Sequence, residues 1–191
     1  MTQPALILVN GLSGTGKSGL AAKLAGDLGL PYFGNDQLKE VIFDTLGWDD
    51  LEWSKKLGPV SSALLWSVCQ NMLAAGQSLL IESVFHIEAD SACLRSVQEQ
   101  FQPRIAEIHC HAPRELLAER VKERAESGDR HPGHGDQDDE ALHEEVIPDL
   151  LEDPDPLLEA PDLYILVNTE EFSDEQYEEL KDKVQTFMAA A

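Results

Sequence analysis

The residues with the clearest chemistry lie near the N-terminus, in the segment GLSGTGKS at positions 11–18. This segment matches the pattern G-x-x-x-x-G-K-[ST] at every fixed position. Its glycines let backbone N–H groups converge on an anion, and a following helix adds unpaired N–H groups. The pattern predicts that Lys17 reaches the β- and γ-phosphates of ATP and that the Ser18 hydroxyl ligates Mg²⁺. We expect the nucleotide to contact Gly11, Ser13, Gly14, Thr15, Gly16, Lys17, Ser18 and Gly19.

The flanking residues provide the elements that this segment needs. An apolar run at positions 5–9 is typical of a buried strand, and apolar residues at helical spacing follow until Gly29. A glycine-rich turn between a strand and a helix, with no ligand, is the alternative interpretation of the motif.

The rest of the chain alternates between strands and helices. Further strands are predicted at 30–34, 78–82, 105–111 and 163–167. The pattern predicts an α/β fold with three layers: a five-stranded parallel sheet with helices on both faces, in a single domain spanning 1–191. Ligands of such sheets bind at the carboxyl ends of the strands. Helices are predicted from about 37 to 46 and at 61–75, 87–101, 113–126, 140–151 and from 173 onward, with 48–57 as a loop or short helix.

Two carboxylates follow predicted strands. Asp36 follows the second strand and is the candidate base for a substrate hydroxyl, although an N-cap for a helix starting near Gln37 would also explain it. Glu82 ends the third strand, where it could hold Mg²⁺, orient the nucleophile or replace Asp36 as base. A solvated residue at the strand end is the alternative for Glu82.

Three arginines lie around a glycine-rich, charged segment. Arg120 and Arg124 are four residues apart and project from one helix face, and Arg130 follows them. Their planar, bidentate donors suit polyphosphate, and we expect them to take part in catalysis from a lid at about 120–139. Pairing with neighbouring glutamates is the alternative. Nucleotide contacts are also expected at the end of the last strand, from Asn168 and Thr169.

Histidine and tryptophan side chains leave several interpretations open. His131 and His134 could contact substrate, lie in a merely polar loop or, as a weak signal, bind a metal. Tyr32, Trp48 and Trp53 are candidate walls of an acceptor pocket. Trp66, on an apolar helix face, is expected in the core.

Charge and cysteine content narrow the classes of partner and compartment. The net charge is −22, of which −17 falls in residues 136–191. Such a surface disfavours nucleic acid and anionic membranes as partners, and a solubilising role explains it better than a docking patch.

Three cysteines without C-x-x-C spacing are typical of free thiols in a reducing compartment. No segment has the length of a signal peptide or membrane span, so we expect a cytoplasmic protein.

Taken together, these motifs resemble the P-loop small-molecule kinases, which include adenylate kinase, gluconate kinase, chloramphenicol phosphotransferase and the zeta toxins. The segment FGND at 33–36 is similar to the one that carries the proposed base of chloramphenicol phosphotransferase. The segment RVKER at 120–124 resembles the R-x-x-x-R lid motif. The resemblance implies that Arg120 packs by the adenine and Arg124 reaches the phosphates. The chain departs from many relatives at Glu82-Ser83, where they carry Asp or a glycine-rich turn, and at Lys39, where they carry Arg.

The expected activity is therefore ATP- and Mg²⁺-dependent phosphorylation of a hydroxyl group on a small molecule. The acceptor stays open among antibiotics, sugar acids, nucleosides and nucleotide sugars, and the last would fit a toxin-like kinase. An ATPase or switch that acts on a protein partner is the alternative from another class. Neither the acceptor nor the oligomeric state follows from the sequence.

Overall fold

The computed structural model describes residues 3–128, 130–134, 156–158 and 160–190. They form a five-stranded parallel sheet with helices on both faces, as predicted. The elements are β1 (Ala5–Asn10), α1 (Lys17–Leu28), β2 (Tyr32–Gly34), α2 (Asn35–Leu46), α3 (Leu51–Ala74), β3 (Leu79–Glu82), α4 (Ile87–Phe101), β4 (Arg104–His111), α5 (Arg114–Ser127), β5 (Leu163–Asn168) and α6 (Asp174–Ala189), with a 3₁₀ turn at Pro132–His134.

The strand order β2-β3-β1-β4-β5 places β1 in the middle of the sheet. All six residues of β1 are buried, because helices cover both faces of a central parallel strand. Val9 pairs with Glu82 on one side, and Asn10 pairs with His109 on the other. Gly34 of β2 also pairs with Glu82. The register therefore brings the carboxyl ends of β1, β2 and β3 together, where ligands of such sheets bind.

Two apolar clusters fill the space between the sheet and its helices. On one face, Ile7 and Val9 pack with residues of α1 and α6, including Leu24 and Val184. On the other face, Leu6, Leu8 and Ile81 pack with residues of α3 and α4, including Trp66 and Leu94. Alternate residues of β1 therefore serve opposite layers, as the two-residue period of a strand requires.

The region from 48 to 75 differs from its prediction as a loop or short helix followed by a separate helix. It forms one helix, α3, which contains Gly58 and Pro59. Asp50 begins this helix by accepting a hydrogen bond from the Trp53 N–H at 2.8 Å. Pro59 has no N–H to donate to the carbonyl four residues earlier, so one helical hydrogen bond is missing. Nearby, the Ser61 hydroxyl donates a hydrogen bond to the carbonyl of Gly58 at 2.9 Å. Packing of the apolar face thus outweighs the local preference of Gly-Pro to break a helix.

Other boundaries agree with the sequence to within one or two residues. Ser173 and Gln176 form the expected capping box at the start of α6. The helix predicted at 140–151 lies outside the described residues. Cys69, Cys93 and Cys110 are free thiols, as predicted. Within the described ranges no helix combines the length and apolar character needed to cross a membrane.

Candidate active site

The loop between β1 and α1 has a backbone that only glycine allows at two positions. Gly11 has φ +142°, and a Cβ there would lie 2.4 Å from the carbonyl oxygen of Cys110. Gly14 has φ +87°, and a Cβ there would lie 2.8 Å from the carbonyl oxygen of Leu117. The loop is therefore packed between β4 and α5. Gly16, by contrast, borders open space, since a Cβ there would meet no atom within 4 Å.

Asn10 fixes this loop to its neighbours. Its Oδ1 accepts hydrogen bonds from the N–H of Gly11 at 2.8 Å and of Phe85 at 2.9 Å. The Thr15 hydroxyl donates to the Leu12 carbonyl at 2.8 Å. Helix α1 begins at Lys17, so its first N–H groups have no acceptor within the helix. Together these features hold the loop in a shape that suits an anion.

Lys17 and Glu82 form a buried ion pair at the carboxyl end of the sheet. Lys17 Nζ lies 3.6 Å from Glu82 Oε1, and the two side chains are 9% and 4% exposed. Glu82 also accepts hydrogen bonds from Ser18 and from the Tyr32 hydroxyl, the latter at 3.3 Å. Glu82 is thus not a solvated residue at the strand end. It joins the lysine and the serine of the loop, the two groups expected to hold phosphate and metal.

Burial raises the pKa of Glu82, and the nearby positive charge of Lys17 opposes that shift. The negative charge of Asp36 raises the pKa further. A buried carboxylate of this kind is costly without positive charge, so an added cation between Glu82 and the loop would stabilise the site.

Asp36 lies in the first turn of α2, but it does not cap this helix. The helix begins at Asn35, and Gly34 is the residue that caps it. The Asp36 carboxylate instead pairs with Arg130, whose Nη1 lies 3.0 Å from Oδ2. Burial tends to raise the pKa of Asp36, but neighbouring positive charges, with Arg130 first, outweigh burial and lower it. The carboxylate therefore stays ionised and able to accept a proton.

Arg120 lies on the opposite side of the loop. Its Nη2 donates to the Thr169 carbonyl at 2.8 Å, and its Nη1 lies 3.4 Å from the carbonyl oxygen of Gly14. Arg120 therefore joins α5 to the loop and to the end of β5, instead of pairing only with glutamates of its own helix. Arg124 is half-buried one turn further along α5. Asn168 accepts the N–H of Glu170 through its Oδ1.

A cavity of about 340 Å³ opens beside Arg120. Glycine backbone and the aromatic rings of Phe172 and Tyr177 contribute to its walls. It lies against the phosphate loop on the α5 and α6 side, away from Asp36. Its other lining residues include Thr15, Gly19, Leu20, Lys23, Thr169 and Ser173.

The lid segment 130–134 lies against α2. The His131 ring stacks on Phe43 with centroids 5.2 Å apart, and the Phe43 ring is 5.3 Å from His134. Gly133 is so close that a Cβ there would lie 2.7 Å from Phe43 and 2.9 Å from Trp48. The segment is therefore packed on Phe43 of α2, and its Arg130 reaches Asp36.

Both lid histidines donate a hydrogen bond to a carboxylate of α2. Arginine can only donate, so the contact of 3.2 Å from Arg130 Nη2 makes His134 Nδ1 an acceptor. Its Nε2–H then donates to Glu40 at 3.0 Å. His131 Nδ1 accepts the Gly133 N–H, and its Nε2 lies 3.3 Å from Asp44. Burial, reinforced by Arg130, lowers the pKa of His134 and keeps it neutral.

The metal-binding interpretation of His131 and His134 finds no support among the described residues. Within residues 3–128, 130–134, 156–158 and 160–190, no three His, Cys, Asp or Glu side chains converge as a metal site.

A second and larger cavity, of about 710 Å³, opens where the end of β3 meets α2, α3 and α4. Asp36 and Ser83 line it where it approaches the sheet, and Trp66 lines it from α3. The prediction that Trp66 is buried is confirmed, since it is 4% exposed. The other aromatic residues expected as pocket walls have different contacts. Tyr32 donates a hydrogen bond to Glu82, the Trp48 ring lies edge-on to His131 of the lid, and Trp53 donates to the Gly47 carbonyl.

The structure thus brings together one cluster of predicted residues, Lys17, Ser18, Asp36, Glu82 and Arg130. It places a second group, Arg120 and Thr169, at the first cavity. Sequence reasoning missed Asn10 and Asp90. Asn10 follows an apolar run directly before the glycines, which is a signal for a loop anchor. Asp90 has no such signal, because its position in the wall of the second cavity depends on packing between α3 and α4.

Comparisons with known proteins agree with this fold. The family model described as an AAA domain matches residues 6–152. A candidate kinase from Chloroflexus aurantiacus is 32% identical in sequence, with a TM-score of 0.82 over 97% of this chain and 98% of the other. No curated protein sequence matches the chain.

Two liganded structures share the fold at lower identity. The APS kinase CysC of Mycobacterium tuberculosis, in complex with AMPPNP and APS, is 18% identical, with a TM-score of 0.59 over 97% of this chain and 99% of the other. Kti12 of Chaetomium thermophilum, in complex with ADP-AlF3, is 18% identical, with a TM-score of 0.67 over 95% of this chain and 97% of the other. The chain has a P-loop kinase-like fold and belongs to the AAA domain family.

Proposed function

We propose that the protein is an ATP- and Mg²⁺-dependent kinase that transfers the γ-phosphate of ATP to a hydroxyl group of a small molecule. The observation that carries the proposal is the presence of two separate cavities near the end of the sheet, the first of them lined by the phosphate loop. One cavity lies beside Arg120, and the other opens at Asp36. A kinase needs this arrangement, because donor and acceptor must meet in line at the transferred phosphate.

The residues of the loop fit ATP. The glycines at 11, 14 and 16 have positive φ, and the first N–H groups of α1 have no acceptor within the helix. Lys17 would reach the β- and γ-phosphates, and Arg120 with Thr169 borders the cavity that would hold the base and ribose. Arg124 is one turn away on the same helix and would join the phosphate contacts.

The pair of Ser18 and Glu82 fits Mg²⁺. Oxygen ligands from a hydroxyl and a carboxylate are the kind that Mg²⁺ prefers, and it usually keeps water and phosphate oxygens as well. Ser18 and Glu82 would hold Mg²⁺, which would supply positive charge to stabilise the negative charge that develops during transfer. Glu82 would hold the ion directly or through water.

Asp36 is the proposed base. An ionised carboxylate at the mouth of the second cavity can accept the proton of an acceptor hydroxyl as that oxygen attacks phosphorus. Arg130 holds the carboxylate in place and could bind the transferred phosphoryl group as the proton moves. The docked lid would exclude water, which would otherwise compete with the acceptor.

ATP consumption tests the proposal against a panel of sugars, sugar acids, nucleosides, nucleotide sugars and hydroxylated antibiotics, with Mg²⁺ present. We expect a signal with at least one acceptor, and we expect Lys17→Ala to abolish it. An increase in ATP hydrolysis with a protein partner, and none with any small molecule, would favour the ATPase or switch. Growth arrest on expression, relieved by Lys17→Ala, would favour a toxin-like kinase.

A further inference from the structure

The residues that line the cavity at Asp36 limit the kinds of acceptor that it can bind. The cavity measures about 710 Å³, within the range of small-molecule sites. The carboxyl end of β3, the first turn of α2 and facing turns of α3 and α4 form its walls. Its lining residues are Asn35, Asp36, Gly58, Pro59, Ser62, Ala63, Trp66, Ser67, Gln70, Ser83, Val84, His86, Ala89, Asp90 and Cys93.

The charged groups in this wall are carboxylates. Neither lysine nor arginine occurs among the described residues that line the cavity, whereas Asp36 and Asp90 do. Arg130 reaches the cavity mouth through its 3.0 Å contact with Asp36. That cation is paired with Asp36 and is not itself a lining residue, whereas Asp90 is a second carboxylate of the wall.

Asp90 is held firmly in the wall. Its Oδ1 accepts a hydrogen bond from Trp66 Nε1 at 2.9 Å, and its Oδ2 accepts the His86 N–H at 2.8 Å. Only 7% of the residue is exposed. Because two neutral donors fix this carboxylate, an acceptor that enters the cavity meets a negative charge that cannot turn away.

The remaining polar groups suit hydroxyl groups. The side chains of Ser62, Ser67 and Ser83 can each donate or accept, and Gln70 adds an amide. The indole of Trp66 supplies a flat apolar wall. This mixture can bind a hydroxylated carbon skeleton, and it lacks the bidentate cations with which proteins bind carboxylates and phosphates.

We propose that this cavity takes an acceptor without negative charge, namely an uncharged or amine-bearing polyhydroxyl compound, and disfavours acceptors that carry a carboxylate or phosphate. The proposal rests on the proposed function and narrows its acceptor class. The reacting hydroxyl would lie at Asp36, and the rest of the molecule would lie between Trp66 and the serines. An amine on the acceptor would be attracted by Asp90, and an acid would be repelled.

Two sets of compounds test the proposal, and within each set one terminal group is an alcohol, an amine or a carboxylate. One set is sorbitol, glucamine and gluconate, and the other is glycerol, 3-amino-1,2-propanediol and glycerate. Phosphorylation is measured with MgATP at pH 8, where an ordinary histidine is neutral. We expect kcat/KM for the neutral or amine compound to exceed that for the acid by at least about tenfold, because like charges brought together weaken binding. Binding of all six compounds to the protein with MgATP is measured in parallel by saturation-transfer NMR.

Failure of the acceptor proposal is distinguishable from failure of the proposed function. If ATP does not bind, or Lys17→Ala leaves phosphorylation unchanged, the proposed kinase is wrong. If ATP binds but the acids react or bind as well as their partners, the acceptor class is wrong. Binding of none of the six compounds would equally overturn the proposal, because the cavity would then not accept the chemistry that its wall predicts.

A charge placed in the wall provides a second test. Ser67 is an exposed residue of α3 that lines the cavity. In Ser67→Arg, kcat/KM or affinity for the acid, divided by the same quantity for the amine, should rise by about tenfold or more. Ala74→Arg is the matched control, since residue 74 is exposed on the same helix about 10 Å further along and outside the lining. An equal change in both variants, or no change in Ser67→Arg, would contradict the proposal.

Discussion

Arg130 of the lid and Asp36 of α2 form an ion pair with 3.0 Å between Nη1 and Oδ2, although 94 positions separate them in the chain. The pair joins the proposed base to the lid segment that packs on α2. The Asp36 side chain is 44% exposed, so the pair favours the ionised carboxylate while leaving it accessible to an acceptor.

Replacing Asp36 by asparagine should separate catalysis from nucleotide binding. The amide keeps the size of the side chain but cannot accept the proton, so we expect turnover to fall by about 10²–10⁴. Affinity for ATP should change little, because the proposed nucleotide cavity beside Arg120 does not include Asp36. Steady-state kinetics and ATP titration measure the two quantities. Asp49→Asn, an exposed residue, is the control, and normal turnover in Asp36→Asn would assign the base elsewhere.

The ionisation of Asp36 should depend on Arg130. The pKa of Asp36 is lowered from its usual 3.8, so the carboxylate stabilises the fold at neutral pH, and that contribution is lost as the pH falls below 3.8. In Arg130→Ala, burial remains and the main opposing charge is gone, so the pKa should rise. The ¹³C carboxyl shift of Asp36 in an NMR titration reports the pKa of this residue in the wild type and in Arg130→Ala. A midpoint that does not move would show that Arg130 does not set the ionisation.

Glu82→Gln should weaken the response to Mg²⁺. The amide cannot supply negative charge to the ion, and loss of such a group typically costs 10- to 100-fold in metal affinity. We expect the Mg²⁺ concentration for half-maximal activity to rise by about tenfold or more. Glu88→Gln, at an exposed position in the first turn of α4, is the matched control. An unchanged Mg²⁺ dependence would show that Glu82 does not hold the ion and serves only its contacts with Lys17, Ser18 and Tyr32.

Gly133→Ala should loosen the lid from α2. The new Cβ would lie 2.7 Å from the Phe43 ring, which the buried ring cannot avoid without a shift. Overpacking of this kind costs about 1–3 kcal/mol, measured as the free energy of unfolding in urea. Gly26→Ala lies in open space within α1, so this variant should instead raise the free energy of unfolding by about 0.5–1 kcal/mol. Equal stability of the two variants would show that the lid does not pack on Phe43 in solution.

The sequence predicted the features that depend on local pattern. The phosphate loop has a fixed spacing, and strands such as Ala5–Asn10 are apolar throughout, so their type and order follow from periodicity. Asp36 and Glu82 could be selected because both follow strands of a parallel sheet. The pattern around Gly58 and Pro59 misled the prediction, because burial of the α3 face decides that helix and local propensity does not.

Features that depend on distant residues could not be predicted in the same way. The strand order follows from packing of whole layers, so the pairing of Glu82 with both Val9 and Gly34 is visible only in the structure. The contact between Arg130 and Asp36 needs the lid to fold back on α2. Likewise, Asp90 enters the wall of the second cavity only because α3 and α4 pack side by side.

The fate of the γ-phosphate is the most direct test of the central claim. ATP labelled at that position would be incubated with Mg²⁺ and an acceptor from the panel, with wild-type protein and with Lys17→Ala. We predict that the label moves to an organic phosphate ester in the wild type and stays on ATP in the variant. Release of the label only as inorganic phosphate, or equal transfer by both proteins, would contradict a kinase built on this loop.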